Sequence, residues 1–208
     1  FSVFKSSDHL YLRTSPESAL KQIVCKSEID IFEVGPVFRD DEIGVNHLSE
    51  FTMLEWYRVD MTYEDLMDDV VMLLNHIGLR TAVRKFTYNE LFEETFGFNC
   101  HTASSSQLEV CSKRHGLVCS EQDSLGKPYF LEFLTSHMTS TKLRGRGFIF
   151  VYNYPKELRC YSELSSDPKR FAKRFELFCD GLELANGYQE ILGEEEQRQC
   201  FDDENKIR

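Results

Sequence analysis

Two strand-like segments joined by a polar loop constrain the fold of this chain more than any other feature. Residues 29–38 and 50–59 are rich in Ile, Val, Phe and other large apolar side chains, and the stretch between them is polar and charged. Such runs on either side of a polar loop predict an antiparallel hairpin. Side chains alternate across a strand, so four residues should share one face: Phe51, Met53, Glu55 and Tyr57. A carboxylate and a phenol make a poor core, so we expect this face to line a pocket.

The two ends of the hairpin loop carry side chains that suit phosphate groups. Arg39 follows the first strand, and a guanidinium can bind a phosphate through two parallel N–H donors. His47 lies near the other end of the loop, where it could contact a second phosphate. A surface hairpin with a solvated loop and ordinary ion pairs accounts for the same pattern.

A second polar constellation lies between Gly181 and Glu190. Glu183 and Glu190 are seven positions apart, with Asn186-Gly187 between them, and an ideal strand would place the two carboxylates on opposite faces. A bulge or turn at Asn186-Gly187 would break that alternation and let both face one site. Paired carboxylates beside a triphosphate suit Mg²⁺. A solvated acidic edge is the alternative.

The third segment is Thr14-Ser15-Pro16-Glu17. It has the pattern of a helix start, because Pro is favourable in the first turn and an early Glu complements the helix dipole. That explanation is sufficient for the segment taken alone.

The rest of the chain predicts helices and strands in blocks. Capping-box patterns begin helices at Thr62, Thr87 and Ser106, and residues 79–127 therefore resemble a mainly helical insert. Residues 148–152 carry the strongest strand signal, and residues 191–208 predict a charged amphipathic helix. The fold class expected is α+β, with an antiparallel sheet flanked by helices.

Charge and hydropathy narrow the classes of function. The chain has 24 Lys and Arg against 35 Asp and Glu, a formal charge of −11, which disfavours broad nucleic-acid binding. No apolar run approaches the ~20 residues that span a membrane, so no membrane partner is expected. Seven scattered cysteines without a C-x-x-C pair favour reduced thiols and a cytoplasmic location.

The three segments, in this order, resemble a known family. Phe38-Arg39-Asp40-Asp41-Glu42 through His47, followed by Glu50-Phe51-Thr52-Met53-Leu54-Glu55, resembles motif 2 of class II aminoacyl-tRNA synthetases. Trp56-Tyr57-Arg58 and Glu183-Leu184-Ala185-Asn186-Gly187 are most similar to one branch. That branch is the elongation factor P–(R)-β-lysine ligase family, a lysyl-tRNA synthetase paralogue without an anticodon-binding domain.

The resemblance implies roles for individual residues. Arg39 would be catalytic, because it would hold the α-phosphate and spread the charge that develops there, and Phe51 would stack on adenine. The ATP-binding residues implied are Arg39, Asp40, Asp41, His47, Leu48, Phe51, Glu183 and Leu184. The substrate-binding residues implied are Ser15, Pro16, Glu17, Tyr57, Asn186 and Glu190. Glu183 and Glu190 would be the ligands of Mg²⁺.

The resemblance also implies a reaction and its partners. ATP and β-lysine, or lysine, would form an aminoacyl-adenylate, and the acyl group would pass to a lysine side chain of elongation factor P. tRNA is an unlikely partner in this branch, and the full-length form is expected to be a homodimer. The alternatives are a lysyl-type or aspartyl/asparaginyl-type core that charges tRNA, and a non-catalytic synthetase paralogue.

Departures from the family pattern favour the last alternative. Asp41 is one methylene shorter than the Glu usual there, Val45 stands where an Arg is frequent, and Leu48-Ser49 replaces Asn-Pro. Motif 1 would precede residue 1 and motif 3 would follow Arg208. Residues 1–208 are therefore expected to form a partial class II catalytic domain.

Overall fold

The structure is a computed structural model. It describes residues 2–5, 8–39, 48–79, 82–118, 126–167 and 170–207, with the side chains of residues 2–10 and 203–207 left aside. The chain divides into two compact units, Phe1–Met61 and Thr62–Arg208. Each unit is described by itself below.

Helices and strands alternate in blocks along the described residues. The first unit contains β1 (Ser2–Lys5), β2 (Asp8–Tyr11), α1 (Glu17–Ser27), β3 (Ile31–Phe38) and β4 (Glu50–Tyr57). The second unit contains α2 (Tyr63–His76), β5 (Arg84–Thr87), α3 (Tyr88–Phe96), α4 (Ser105–Arg114), α5 (Lys127–Lys142), β6 (Phe148–Tyr154), β7 (Ala172–Cys179), β8 (Leu182–Tyr188) and α6 (Glu194–Ile207).

The first unit is built on the hairpin that the sequence predicted. β3 and β4 pair antiparallel without a break in register, from Ile31 opposite Tyr57 to Phe38 opposite Glu50. α1 packs against both strands, and β1 and β2 form a second antiparallel hairpin. The regular register confirms that Phe51, Met53, Glu55 and Tyr57 share one face.

The second unit has a four-stranded sheet in the order β5-β6-β7-β8. β6, β7 and β8 are antiparallel, and β5 adds a parallel edge strand beside β6. One face of the sheet, with Ile149 and Val151, packs on α3 and α5 in the main hydrophobic core. Phe150 and Phe175 are buried on the other face, where α2 packs against β7 and β8. The α+β class is therefore confirmed.

Local sequence signals explain where several elements begin. The capping boxes at Thr62 and Thr87 are both formed, and they start α2 and α3. The start expected at Ser106 was wrong by two residues, because Ser104 and Gln107 form the capping box of α4 instead. A Gln carboxamide completes the box as a carboxylate would.

Residues 79–127 contribute to the core of the second unit. This segment contains the edge strand β5 as well as α3 and α4, and its buried side chains include Tyr88, Leu91 and Phe92. Tyr88 lies against Tyr154 of β6 with their ring centroids 5.0 Å apart. The segment is thus packed into the sheet and its helices.

Candidate active site

A carboxylate held by two hydroxyl groups lies on the face of the β3–β4 hairpin that Phe51, Met53, Glu55 and Tyr57 share. Glu55 accepts hydrogen bonds from Ser15 Oγ and Tyr57 Oη, each at 2.8 Å. Ser15 and Tyr57 were substrate-binding predictions of the sequence, and the fold brings them to one carboxylate although Ser15 is forty residues away in the chain. Glu55 was noted on this face but had not been assigned to the site.

The local fold at the start of α1 explains how Ser15 reaches Glu55. The backbone N–H of Glu17 donates to Ser15 Oγ at 3.0 Å, while Ser15 donates its own proton to Glu55. Pro16 occupies the N-cap position of α1. Glu17 forms an ion pair of 2.7 Å with Lys21, one turn further along the helix. The hydroxyl of Ser15 therefore connects the helix start to the hairpin.

A second carboxylate lies directly opposite the first. Glu33 and Glu55 are cross-strand partners, and like charges in that position repel each other. Arg13 neutralises Glu33 through an ion pair of 2.5 Å and also donates from Nε to the carbonyl oxygen of Pro36. Among the residues that the structure describes, Glu55 is bound by hydroxyls alone. Within those residues, no cation pairs with Glu55.

Arg39 lies at the far end of the same hairpin. Its guanidinium carbon is 5.4 Å from the centre of the Phe51 ring, and its Nε donates to the carbonyl oxygen of Thr14 at 3.4 Å. Arg39 and Phe51 are thus neighbours, as expected if one were to bind phosphate and the other a base. Leu48 is 71% exposed. Asp40, Asp41 and His47 lie outside the described residues.

In the second unit, a bulge changes which side chains of β8 share a face. Phe178 pairs with Glu183 and Leu177 with Ala185, so Leu184 is the extra residue on β8. The sequence predicted a bulge at Asn186-Gly187, and that position was wrong, because Asn186 and Gly187 are in regular register. The bulge at Leu184 puts Glu183 and Asn186 on one face.

The sheet adds Glu176, a residue that sequence reasoning missed. Glu176 of β7 is the cross-strand partner of Asn186, and it shares a face with Glu183 because Phe178 pairs with Glu183. The signal was present in the sequence, since Glu176 and Glu183 flank Asp180-Gly181. Both of those residues have positive φ angles, as the two-residue turn of a tight hairpin requires.

Arg174 and Tyr154 hold the carboxylate of Glu176. Arg174 donates from Nη2 to Oε1, and the Tyr154 hydroxyl donates to Oε2 at 2.6 Å. Burial alone would lower the pKa of Arg174, but the adjacent Glu176 raises it above its ordinary value. Burial and Glu176 together raise the pKa of Tyr154. Arg174 therefore stays charged and Tyr154 stays a neutral donor.

Leu184 and Glu190 are the two other residues of the second unit that the sequence predicted for the site. Leu184 is exposed at the bulge, and Glu190 lies beyond β8 in a single bridge with Ser162. Over the described ranges, no group of three or more His, Cys, Asp or Glu side chains is arranged to hold a metal ion. The same ranges contain no helix long and apolar enough to cross a bilayer.

Comparison with known proteins places these observations in one family. The chain is 33% identical over 204 residues to the elongation factor P–(R)-β-lysine ligases of Haemophilus ducreyi and Pasteurella multocida. It is 32% identical over 200 residues to that of Vibrio vulnificus. These matches cover 98% or 96% of this chain but 62% of each relative's length.

The profile of one protein family matches almost the whole chain. The family is described as "tRNA synthetases class II (D, K and N)", and the match covers residues 1–207. The hairpin with Arg39 and Phe51 agrees with the motif 2 resemblance, and the α+β fold agrees with the class. The chain therefore belongs to the class II tRNA synthetase family.

Proposed function

We propose that the protein activates β-lysine, or lysine, with ATP and transfers the acyl group to a lysine side chain of elongation factor P. The observation that carries this proposal is the environment of Glu55. Its partners are the hydroxyls of Ser15 and Tyr57, and a second carboxylate, Glu33, lies opposite. A site of this kind favours a ligand that carries an ammonium group.

The chemistry of the hairpin face supports an amine substrate over an acidic one. A carboxylate that accepts hydrogen bonds only from neutral groups can gain a charge-assisted hydrogen bond from an ammonium group. The carboxylate of an aspartate substrate would instead be repelled by Glu55. We therefore assign Glu55 to the side-chain amine of the substrate, with Ser15, Pro16, Glu17 and Tyr57 around it.

Arg39 and Phe51 support the binding and activation of ATP. A guanidinium beside the α-phosphate stabilises the charge that builds up as the substrate carboxylate attacks phosphorus and pyrophosphate leaves. The aromatic ring offers a face on which adenine can stack. Asp40, Asp41, His47 and Leu48, with Leu184, remain predicted ATP contacts.

The carboxylates of the second unit fit Mg²⁺ as a partner of ATP. Glu176 and Glu183 share a face, and hard oxygen ligands from one or two carboxylates, completed by phosphate oxygens and water, are what this ion prefers. Bound Mg²⁺ would offset the charge of the triphosphate. Glu176 and Glu183 are our preferred ligands, and Glu190, with Asn186, is assigned to the substrate side.

The acceptor is proposed from the relatives. The proteins from Haemophilus ducreyi and Vibrio vulnificus carry the name of elongation factor P–(R)-β-lysine ligases. A formal charge of −11 on this chain agrees with a protein acceptor better than with tRNA, whose phosphates need neutralising cations. We further propose a cytoplasmic location and a homodimeric full-length form.

Transfer of labelled β-lysine tests the proposal. The full-length protein is incubated with ATP, Mg²⁺ and labelled β-lysine, together with elongation factor P, a variant of it lacking the acceptor lysine, or total tRNA. We expect label on intact elongation factor P alone. Label on tRNA would support the family's tRNA-charging function instead. Binding of amino acid without any adenylate would support a non-catalytic paralogue.

A further inference from the structure

We propose that Arg174 is a positioning residue, which orients both Asn186 and Glu176 toward their ligands. The proposal deepens the proposed function and rests on it for the identity of those ligands. Arg174 is not expected to contact substrate itself. Arg174 is 6% exposed, and its guanidinium contacts Glu176 and Asn186.

The contacts of Arg174 connect three segments of the second unit. Nη1 donates to the carbonyl oxygen of Leu158 at 2.9 Å and to Cys160 Sγ at 3.3 Å. Nη2 donates to Glu176 and contacts Asn186 Oδ1 at 3.5 Å. The guanidinium carbon also lies 4.4 Å from the centre of the Tyr154 ring. A planar group with this many partners is fixed in place and can fix its neighbours.

The contact with Asn186 selects one orientation of its carboxamide. A guanidinium has donors and no acceptor, so it attracts the oxygen of the amide and repels the NH₂ group. With Oδ1 directed at Arg174, Nδ2 is directed away. A ligand in front of Asn186 therefore meets hydrogen-bond donors. Such donors suit the carboxylate end of an amino acid and not its ammonium group.

The contact with Glu176 fixes a carboxylate in the same way. Arg174 and the Tyr154 hydroxyl donate to different oxygens of Glu176, so the plane of the carboxylate is set by two partners on two strands. Each carboxylate oxygen can accept more than one hydrogen bond or metal contact. Oriented outer partners of this kind typically change metal affinity or activity about 10- to 100-fold when they are removed.

Two conservative variants and a matched control test the positioning role. Arg174→Lys keeps a buried cation but loses the planar fork, and Tyr154→Phe removes only the hydroxyl that binds Glu176. Arg159→Lys is the control, since the guanidinium of Arg159 forms an ion pair of 2.9 Å with Glu196, and its contacts with described residues do not include Glu176 or Asn186. All three are made in the full-length protein. Thermal unfolding checks that each variant folds.

The first readout separates positioning from a purely structural role. A structural role would lower the folded fraction and hence kcat, without changing the concentration of amino acid or Mg²⁺ needed for half-maximal ATP–pyrophosphate exchange. Positioning predicts that Arg174→Lys raises both concentrations about 10-fold or more. Tyr154→Phe should raise the Mg²⁺ concentration alone, and Arg159→Lys should change neither.

The second readout does not depend on activity. The side-chain amide signals of Asn186, observed by NMR in the protein without ligands, should shift in Arg174→Lys and stay unchanged in Arg159→Lys. Absence of exchange by the wild-type protein would count against the proposed function, and the amide signals would still decide the positioning proposal. Unchanged amide signals in Arg174→Lys would overturn it, as would unchanged concentrations for half-maximal exchange.

Discussion

Two strand-borne glutamates, one in each unit, have opposite environments. Glu55 is held by the hydroxyls of Ser15 and Tyr57 and lies opposite another carboxylate. Glu176 is held by the buried guanidinium of Arg174 and by one phenol. Over the described residues, the first carboxylate is bound only by neutral hydroxyls, and the second is paired with a cation of the protein.

The difference predicts two roles. Glu55 binds a ligand directly, whereas Glu176 is held in a fixed orientation by the protein before a ligand binds. Glu55 gains a cation when an amine ligand arrives, so its contribution should be to affinity. Glu176 is part of a buried ion pair, so its removal should affect folding as well as function. Substitutions in the two units should therefore differ in their effects on stability and on ligand binding.

Glu176→Ala should have the largest effect on stability. It leaves the buried Arg174 without its counter-charge, and breaking a buried pair from one side costs about 3–5 kcal/mol. Urea unfolding measures the loss of free energy. Glu55→Ala is the matched control, and it should cost less, because its partners are neutral hydroxyls and no buried charge is left without a counter-charge. Equal losses in the two variants would contradict the comparison.

Glu55→Gln should weaken the binding of an amine substrate while leaving the fold intact. A charge-assisted hydrogen bond contributes about 1.5–3 kcal/mol, so the dissociation constant for lysine should rise about 10- to 100-fold. Calorimetry measures it. Norleucine, which has no side-chain amine, serves as the control ligand, and its binding should be much less affected. A similar loss for both amino acids would mean that Glu55 does not bind the amine.

Gly187→Ala should destabilise the strand pair that carries Asn186. A Cβ at Gly187 would lie 2.5 Å from the ring of Phe175, which is buried and cannot move aside, so we expect a loss of about 1–3 kcal/mol. Gly35→Ala is the matched control in the first unit. There the Cβ would meet the ends of the Arg13 and Glu33 side chains, which are flexible and partly exposed to solvent. Urea unfolding of both variants should show a clear loss for Gly187→Ala alone.

Asp65→Asn should have the smallest effect, and the effect should depend on pH. Hydrogen bonds from the side chain and backbone of Thr62 lower the pKa of Asp65 in the folded protein. The stabilisation is therefore fully present above the ordinary pKa of aspartate, about 4, and is lost as the pH falls through the lower folded value. Wild type and variant should differ at pH 7 and converge once the pH falls below the folded-state pKa of Asp65. A difference that persists there would exclude ionised Asp65 as its source.

The hairpin face and the helix starts could be predicted from the sequence because their signals are local. Alternation along one strand placed Glu55 beside Tyr57, and the capping boxes at Thr62 and Thr87 follow from residues three positions apart. The Ser15–Glu55 hydrogen bond spans forty residues. Only the family resemblance had assigned Ser15 and Tyr57 to one substrate site.

The environment of Glu176 could not be predicted in this way. The neighbours of Glu176 on β8 depend on the register between β7 and β8, and the bulge at Leu184 shifts that register by one residue. The Asp180-Gly181 turn was a usable signal for the hairpin, but the sequence does not indicate which residue of a strand is bulged. The partners of Glu176 come from β6 and β7, and Arg174 is itself held by Leu158 and Cys160 beyond β6, so only the tertiary structure assembles them.

We infer that the hydroxyl-bound carboxylate Glu55 selects an amine substrate. ATP–pyrophosphate exchange by the full-length protein tests it most directly, with β-lysine, lysine, aspartate or asparagine supplied one at a time. The account predicts exchange with β-lysine or lysine and none above background with the other two. Exchange that is supported by aspartate or asparagine but by neither diamine would contradict it.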